Sequence, residues 1–146
     1  LDEQVLLNNS FMVSADNAHA LHPNHPELAD GNNAPLVNGG VVVKFNANLR
    51  YTTDGLSSAV FRKICEKAGV PVQTYCNRAD IPGGSTLGNI SLSHVSVPSV
   101  DIGLAQLAMH SCFETAGSKD VESFIRAAAA FFGTVLQAEN GSVSIS

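Results

Sequence analysis

The chain has 146 residues, of which 45% are hydrophobic and 14% charged, a composition that predicts one core-forming domain rather than a disordered chain. Thirteen acidic residues against eight Lys and Arg give a net charge of −5. Because phosphate binding requires clustered cations and no basic stripe is present, we expect neither a nucleic-acid nor an anionic-membrane partner. No apolar run approaches the ~20 residues of a membrane-spanning helix.

The first residues and the cysteines bear on the compartment. Residues 1–4 are acidic where a signal peptide would be positively charged. Three cysteines, Cys65, Cys76 and Cys112, stand at irregular spacing, which is typical of reduced, buried thiols rather than of a disulfide framework. We therefore expect a cytoplasmic protein.

Strands and helices are predicted to alternate along the chain. The start resembles the tail of a helix that leads into a strand, and it lacks a methionine, which favours a piece of a longer protein. The predicted strands are 11–15, 41–45, 72–76 and 98–103, and the predicted helices are 57–68, 86–94 with Ser85 as N-cap, and 120–137. This alternation predicts a three-layer α/β fold with a mostly parallel central sheet.

Two features of the C-terminal part complete this prediction. The last helix carries one apolar stripe between Val121 and Val135, which we assign to the core. We expect residues 1–138 to form one domain and residues 139–146 to form a tail.

A carboxylate and two imidazoles follow the first strand. Asp16 is followed by His19 and His22, and Pro23 excludes a continuing helix. Ligands of open α/β folds bind at the carboxyl ends of strands, and Asp and His are common zinc ligands. By itself, Asp16 is explained better as a turn acceptor or helix cap.

Lys44 is the charge least expected at its position, because three valines and a phenylalanine flank it. Burying an ammonium without a partner is very unfavourable. Lys44 is therefore either an edge lysine that reaches the solvent or a group at a pocket mouth that pairs with a ligand. Tyr51 is either an ordinary strand-end aromatic or a hydrogen-bond donor to the same ligand. Asp80 and Asp101 are expected to be structural.

A glycine-rich stretch, residues 83–86, precedes a predicted helix and has the form of an anion-binding nest. It lacks the lysine of a phosphate loop, so contact with a peptide backbone or with the carboxylate of a product fits it better than a nucleotide.

Four separated motifs occur together in this chain. They are Val13-Ser14-Ala15-Asp16-Asn17-Ala18-His19-Ala20-Leu21-His22-Pro23-Asn24, Lys44-Phe45-Asn46-Ala47-Asn48-Leu49-Arg50-Tyr51, Asp80-Ile81-Pro82-Gly83-Gly84-Ser85-Thr86-Leu87-Gly88 and Gln106-Leu107-Ala108-Met109-His110-Ser111. In this order, over roughly residues 1–132, the chain closely resembles the C-terminal part of the aspartyl aminopeptidase family, dinuclear zinc exopeptidases of α/β fold.

The resemblance implies roles for five residues. Asp16 and His110 fall on zinc ligands of that family, whereas His19, Lys44 and Tyr51 fall on positions that contact substrate. Beside these, Ser111 is a candidate to orient the His110 ring.

The resemblance also implies what this chain lacks. The family's other zinc ligands, the glutamate that acts as general base and the dimerisation subdomain all precede the segment present here, and Asp2 and Glu3 do not match them. We therefore expect no catalytic residue in this chain, weak zinc binding and no activity of the isolated chain.

The function implied for the intact parent is removal of N-terminal acidic residues from peptides by a two-zinc aminopeptidase that forms homo-oligomers through the missing subdomain. Three alternatives remain open at this point. One is a family member that prefers neutral residues, and a second is a non-catalytic assembly or binding module on the same fold. The third is a different hydrolase, which would require His22 and His25 to converge with His19.

Overall fold

The computed structural model describes residues 3–139 and 142–146, and within these ranges strands and helices alternate as predicted. The helices are α1 Glu3–Asn8, α2 Gly55–Lys67, α3 Leu87–Leu92 and α4 Ser118–Phe132, with a 3-10 turn at Pro26–Leu28. The strands are β1 Met12–Ala15, β2 Ala18–His19, β3 Val41–Phe45, β4 Val72–Cys76, β5 Ser99–Gly103, β6 Ala105–Leu107, β7 Thr115–Ala116, β8 Leu136–Glu139 and β9 Ser142–Ile145.

The central sheet has the strand order β1-β5-β3-β4. The outer pairs, β1 with β5 and β3 with β4, are parallel, whereas β3 and β5 are antiparallel with Val42 opposite Gly103. The prediction of a mostly parallel sheet is confirmed. The antiparallel pair has a consequence for the site, because it places the carboxyl ends of β1 and β5 beside the amino end of β3.

The two faces of this sheet are covered differently. Helices α2 and α4 pack together and cover one face, where β3 contributes Val41 and Val43 to the main core. The short helix α3 contacts β1 and β5. It lies on the other face, where its Gly88 approaches the Asp101 carboxylate. The predicted three-layer arrangement is therefore present. The second face also carries a smaller apolar cluster around Val42, Tyr51 and Tyr75.

A second, small sheet continues two strands of the first. After Asp16 and Asn17 the chain re-enters extended structure as β2, and after Leu104 it does so as β6; β2 and β6 pair in parallel, and β7 joins β6 in antiparallel orientation. The parallel pair β1–β5 is thus interrupted and resumed as β2–β6. We call the interruption at residues 16, 17 and 104 the strand break.

Close backbone contact characterises the strand break. A Cβ atom on Gly103 would lie 2.0 Å from the carbonyl oxygen of Asp16, so only glycine fits there. The Asn17 side chain bridges the two strands, since its Nδ2 donates to Gln106 Oε1 at 2.6 Å and its Oδ1 accepts from Leu104 N at 3.3 Å.

Three helices begin differently from the prediction, and α4 starts at Ser118, two residues earlier than expected. Helix α2 starts two residues earlier than expected, because Asp54 and Ser57 form a reciprocal capping box. The assignment of Ser85 as N-cap of the next helix is wrong. Thr86 occupies that position, and its hydroxyl donates to Asp101 instead of capping the helix.

Helix α4 ends five residues before the predicted end, at Phe132, where Gly133 follows as C-cap. The assignment of its whole apolar stripe to the core is also wrong. Phe124 and Ala127 face the core, but Val121, Ile125 and Phe132 lie on the outer side of the helix and are 49%, 61% and 85% exposed.

The residues after α4 form an antiparallel hairpin of β8 and β9, within which residues 140 and 141 lie outside the described part of the chain. Lys67 donates to the carbonyl of Ile145 and so links the hairpin to α2. All three cysteines carry free thiols, yet the expectation that they are buried is wrong for Cys112, which is exposed because it lies in the surface loop between β6 and β7. Among the described residues no helix combines the length and apolarity that a bilayer crossing requires.

A buried carboxylate fixes the start of α4 to the chain that enters β3. Asp120 is fully buried, and its two oxygens accept hydrogen bonds from Asn38 N at 2.7 Å and Gly40 N at 2.8 Å. These amides belong to the turn that precedes β3. Asp120 therefore joins the first turn of α4 to this turn.

We expect Asp120→Ala to lower the free energy of unfolding by about 2–3 kcal/mol, because it leaves two amides without their charged acceptor. Urea unfolding of this chain measures the loss. The matched control is Glu122→Ala, an exposed acidic residue of the same helix, which should change stability by less than about 0.5 kcal/mol. Equal losses in the two variants would contradict the role of Asp120.

We expect Gly103→Ala to destabilise the chain by about 3 kcal/mol, because the new methyl group must displace the main chain at Asp16. Gly31→Ala is the control, since a Cβ there meets nothing within 4 Å. A Gly103→Ala protein that unfolds at the same urea concentration as the control would show that the strand break is not closely packed.

Candidate metal and substrate site

A cavity of about 420 Å³ opens on the face of the sheet opposite α2 and α4. Its walls come from the strand break, the loop between β2 and β3, the segments that follow β3 and β4, and the loop between β6 and β7. The five residues predicted for the site, Asp16, His19, Lys44, Tyr51 and His110, all line this cavity. The fold therefore brings together side chains that are up to 94 positions apart in the sequence.

Lys44 is almost completely buried, with 1% of its surface exposed. Its Nζ donates to the carbonyl oxygens of Asp16 at 3.0 Å and Asn17 at 3.3 Å, and it lies 3.6 Å from Asp16 Oδ2. The ammonium thus binds the two carbonyls at the strand break. Burial lowers the pKa of Lys44, and the negative charges of Asp16 and Asp101 oppose this shift.

Tyr51 covers the same ammonium from another side. Lys44 Nζ lies 4.9 Å from the centre of the Tyr51 ring, within the range of cation–π attraction. Burial, followed by the charges of Tyr75, Asp101 and Asp16, raises the pKa of Tyr51 to about 12. The phenol therefore keeps its proton at neutral pH and is able to donate a hydrogen bond into the cavity.

The Asp16 carboxylate is directed toward solvent in the cavity, with 53% of its side chain exposed. Its single close partner in the described part of the chain is the Lys44 ammonium, through one oxygen only. The other oxygen is available to a cation. The main chain of Asp16 is fixed on two sides, by Lys44 and by Gly103.

His110 lies in a tightly wound loop between β6 and β7. Ala108 and His110 have φ angles of +53° and +67°, a left-handed conformation that residues other than glycine adopt at a cost. The His110 amide donates to Glu114 Oε1 at 2.6 Å, which closes the loop. No hydrogen bond engages the His110 ring within the described residues.

Sequence reasoning missed Glu114 and assigned Ser111 differently. Ser111 Oγ accepts a hydrogen bond from Phe113 N, so it stabilises the loop and is not bonded to the His110 ring. The signal for Glu114 in the sequence is its position four residues after His110, from which its carboxylate accepts a hydrogen bond from the His110 amide.

His19 is close enough to the other charged groups to be affected by them. Burial, and then the electrostatic influence of the neighbouring His110 and Lys44, lower the pKa of His19. Its imidazole is therefore neutral at neutral pH and carries one N–H donor.

The loop histidines do not form a cluster with His19. His22 Nδ1 accepts from Asn24 N at 3.2 Å, and His25 Nδ1 lies 3.1 Å from Glu27 Oε1. Both rings border the cavity, but residues 3–139 and 142–146 contain no group of three or more His, Cys, Asp and Glu side chains arranged to hold a metal. The alternative of a hydrolase built on three converging histidines loses its required geometry.

The donor set suits zinc but is incomplete. Asp16 and His110 supply a hard carboxylate and an imidazole, the ligand types of catalytic zinc sites, and each keeps a free donor atom at the same cavity. Catalytic zinc takes three protein ligands and one open position. The described residues therefore offer two of the three protein donors that such a site requires.

Comparison with known proteins identifies the fold in longer relatives. A family model described as "Aminopeptidase I zinc metalloprotease (M18)" matches residues 1–132. "Probable M18 family aminopeptidase 2" of Stutzerimonas stutzeri is 44% identical over 133 residues, which are 91% of this chain and 31% of the relative. The protein of the same name in Mycobacterium bovis is 46% identical over 130 residues, 89% of this chain and 30% of the relative.

A solved structure agrees with these relatives. The mApe1 dodecamer of S. cerevisiae superposes with a TM-score of 0.81 at 30% sequence identity, over 91% of this chain and 29% of that one. The chain thus spans about 30% of the length of the curated relatives it matches. Since the family model covers nearly the whole chain, the protein belongs to the M18 family of aminopeptidases.

Proposed function

We propose that residues 1–138 are the C-terminal portion of the catalytic domain of a zinc-dependent aminopeptidase that removes N-terminal acidic residues from peptides. The observation that carries this proposal is the convergence of Asp16, His19, Lys44, Tyr51 and His110 on one cavity. Membership of the zinc metalloprotease family supports the same reaction class.

In this proposal Asp16 and His110 are ligands to zinc. Two zinc ions when bound would polarise the scissile carbonyl and lower the pKa of a water molecule. The remaining ligands and the glutamate that acts as general base come from the part of the longer protein that this chain does not contain. The contribution of this chain is to hold its two donors in position, Asp16 through the strand break and His110 through the closed loop with Glu114.

His19 and Tyr51 contact the substrate. The neutral imidazole of His19 donates its ring N–H to the oxygen on which negative charge develops, and a donor fixed in advance at that position stabilises the transition state. The protonated phenol of Tyr51 donates a second hydrogen bond to the bound peptide. The loop at Gly84 and Ser85 borders the cavity and binds peptide backbone.

Lys44 supplies the preference for acidic residues through its positive charge. Its ammonium already donates to two main-chain carbonyls. It therefore attracts a substrate carboxylate mainly through the positive electrostatic potential of the cavity. A carboxylate that displaces one of the carbonyls would gain a direct hydrogen bond as well. The same two hydrogen bonds also support a second candidate, an aminopeptidase that removes neutral N-terminal residues. In that enzyme Lys44 binds only the two main-chain carbonyls and does not contact the substrate.

We further propose that the intact enzyme forms a homo-oligomer in the cytoplasm. A dodecameric relative supports the assembly, and the reduced cysteines fit the compartment. The contacts of this assembly belong to a subdomain outside the present chain.

The zinc assignment is tested in a chimaera in which this chain replaces the matching segment of the mycobacterial relative. We expect Asp16→Ala and His110→Ala each to reduce bound zinc and to lower kcat/KM for an aspartyl chromogenic substrate by at least about 100-fold. The matched controls are Asp30→Ala and His22→Ala, which alter the same residue types at the rim of the same cavity. The isolated chain should be inactive with added zinc, and hydrolysis by it, or full zinc content in either ligand variant, would overturn the proposal.

The substrate preference is tested with Lys44→Met in the same chimaera. Removing the charge while keeping an apolar stem should reduce the ratio of kcat/KM for aspartyl over alanyl substrates by about tenfold. Lys63→Met, which removes an exposed lysine on α2, should leave the ratio unchanged. An unaltered ratio in Lys44→Met would reject the acidic preference and favour the enzyme for neutral residues.

A further inference from the structure

Asp101 is a fully buried carboxylate on the cavity side of the sheet, behind the cavity wall. Three protein donors converge on it. Its Oδ2 accepts from Thr52 N at 2.6 Å and from Thr52 Oγ1 at 2.9 Å, and its Oδ1 accepts from Thr86 Oγ1 at 2.8 Å. A carboxylate that accepts this many hydrogen bonds is held in one orientation and holds its donors in place.

The two threonines belong to two different walls of the cavity. Thr52 follows Tyr51, the aromatic ring over Lys44, whereas Thr86 ends a separate stretch, Ile81–Thr86, that also borders the cavity. Asp101 itself lies in the middle of β5, the best buried strand of the central sheet. One carboxylate therefore ties both walls to the same point of a rigid element.

The surroundings of Asp101 leave little freedom. A Cβ on Gly88 would come within 3.0 Å of both carboxylate oxygens and 2.9 Å of Thr52 Cγ2. A second link between the walls runs on the surface, where Asn89 Nδ2 donates to Arg50 O at 2.5 Å. The first turn of α3 is thus held against the segment that carries Tyr51.

We propose that Asp101 is a positioning residue for substrate binding: by holding the Thr52 and Thr86 walls at a fixed separation, it sets the place of the Tyr51 phenol in the cavity. This inference rests on the proposed aminopeptidase function. Asp101 touches neither metal nor peptide, so its loss acts on the affinity for substrate and not on the zinc content.

The kinetic test uses Thr86→Val in the chimaera described above. This change removes the bond to Asp101 while preserving shape, and it costs α3 no cap, because the Thr86 side chain makes no capping bond. We expect KM to rise about fivefold with kcat within about twofold and zinc content unchanged. The control is Thr74→Val, which removes a hydroxyl bonded to Arg62 on the α2 side of the sheet.

Two substitutions of Asp101 separate charge from placement. In Asp101→Asn the amide oxygen still accepts from Thr52, and the Thr86 hydroxyl can turn to accept from the new NH₂ group. KM should therefore stay within about twofold of wild type in Asp101→Asn and rise about tenfold in Asp101→Ala.

A spectroscopic readout in this chain is independent of activity. The protein has no tryptophan and two tyrosines, Tyr51 and Tyr75, so in a Tyr75→Phe background the tyrosine circular dichroism in the near ultraviolet reports on Tyr51 alone. Thr86→Val should weaken this signal and Thr74→Val should not. Should Asp101→Ala fail to fold, Thr86→Val still gives the answer.

The outcomes distinguish the two proposals. An inactive wild-type chimaera would reject the proposed function, and the Tyr51 signal would then decide the role of Asp101 by itself. Thr86→Val kinetics equal to those of Thr74→Val, an unchanged Tyr51 signal, or lost zinc at unchanged KM would each overturn the positioning role.

Discussion

A single buried ammonium satisfies the backbone at the point where two parallel strands stop and resume. Main-chain carbonyls that lose their ladder partners inside a protein must find other donors, and leaving them unpaired costs about 1–3 kcal/mol each. Lys44 reaches from β3 beneath the cavity to the carbonyls of Asp16 and Asn17 and meets this need. Lysine is usually found at the protein surface, yet this arrangement makes Lys44 one of the most buried residues in the described part of the chain.

The strand break explains where the candidate ligands lie. The side chain of residue 16 follows the alternation of β1, in which Phe11 and Val13 face the main core, so it lies on the cavity side of the sheet. The chain resumes directly after the interruption as β2, where His19 lines the same cavity. The same interruption in the β5–β6 pair leads directly to the loop of His110. One proposed zinc ligand therefore lies at this irregularity and the other follows it in the chain. The geometry of the irregularity is fixed by Lys44, Asn17 and the absence of a side chain at Gly103.

Local patterns in the sequence predicted the elements that local forces determine. The β-branched run Val41–Phe45 formed a central strand, and the apolar spacing of residues 57–68 formed α2 within two residues of its ends. Features that depend on distant partners were not predictable in this way. The hydroxyl of Thr86 is drawn to Asp101 across the fold, and which side of α4 faces the core depends on where β3 and α2 lie.

The site itself was predicted through its motifs more than through its physics. An isolated Asp after a strand or an isolated His in a loop indicates little. Four motifs in order predicted Asp16 and His110 as a pair of ligands, and the fold places both at one cavity. The partners of Lys44 could not be predicted, because they are carbonyl groups, which every residue has. The antiparallel pairing of β3 with β5 also lacked a sequence signal, since both strands read as buried runs.

The left-handed backbone at Ala108 and His110 has a consequence for how this loop tolerates change. Each such residue costs roughly 1–2 kcal/mol relative to ordinary backbone, and glycine would avoid most of that cost. A glycine at position 108 would also let the backbone that carries His110 adopt a wider range of conformations. Stability and the fixed orientation of the His110 ring therefore favour different residues at these two positions. Selection for melting temperature alone would favour glycine, which does not hold the backbone that places His110 at the cavity.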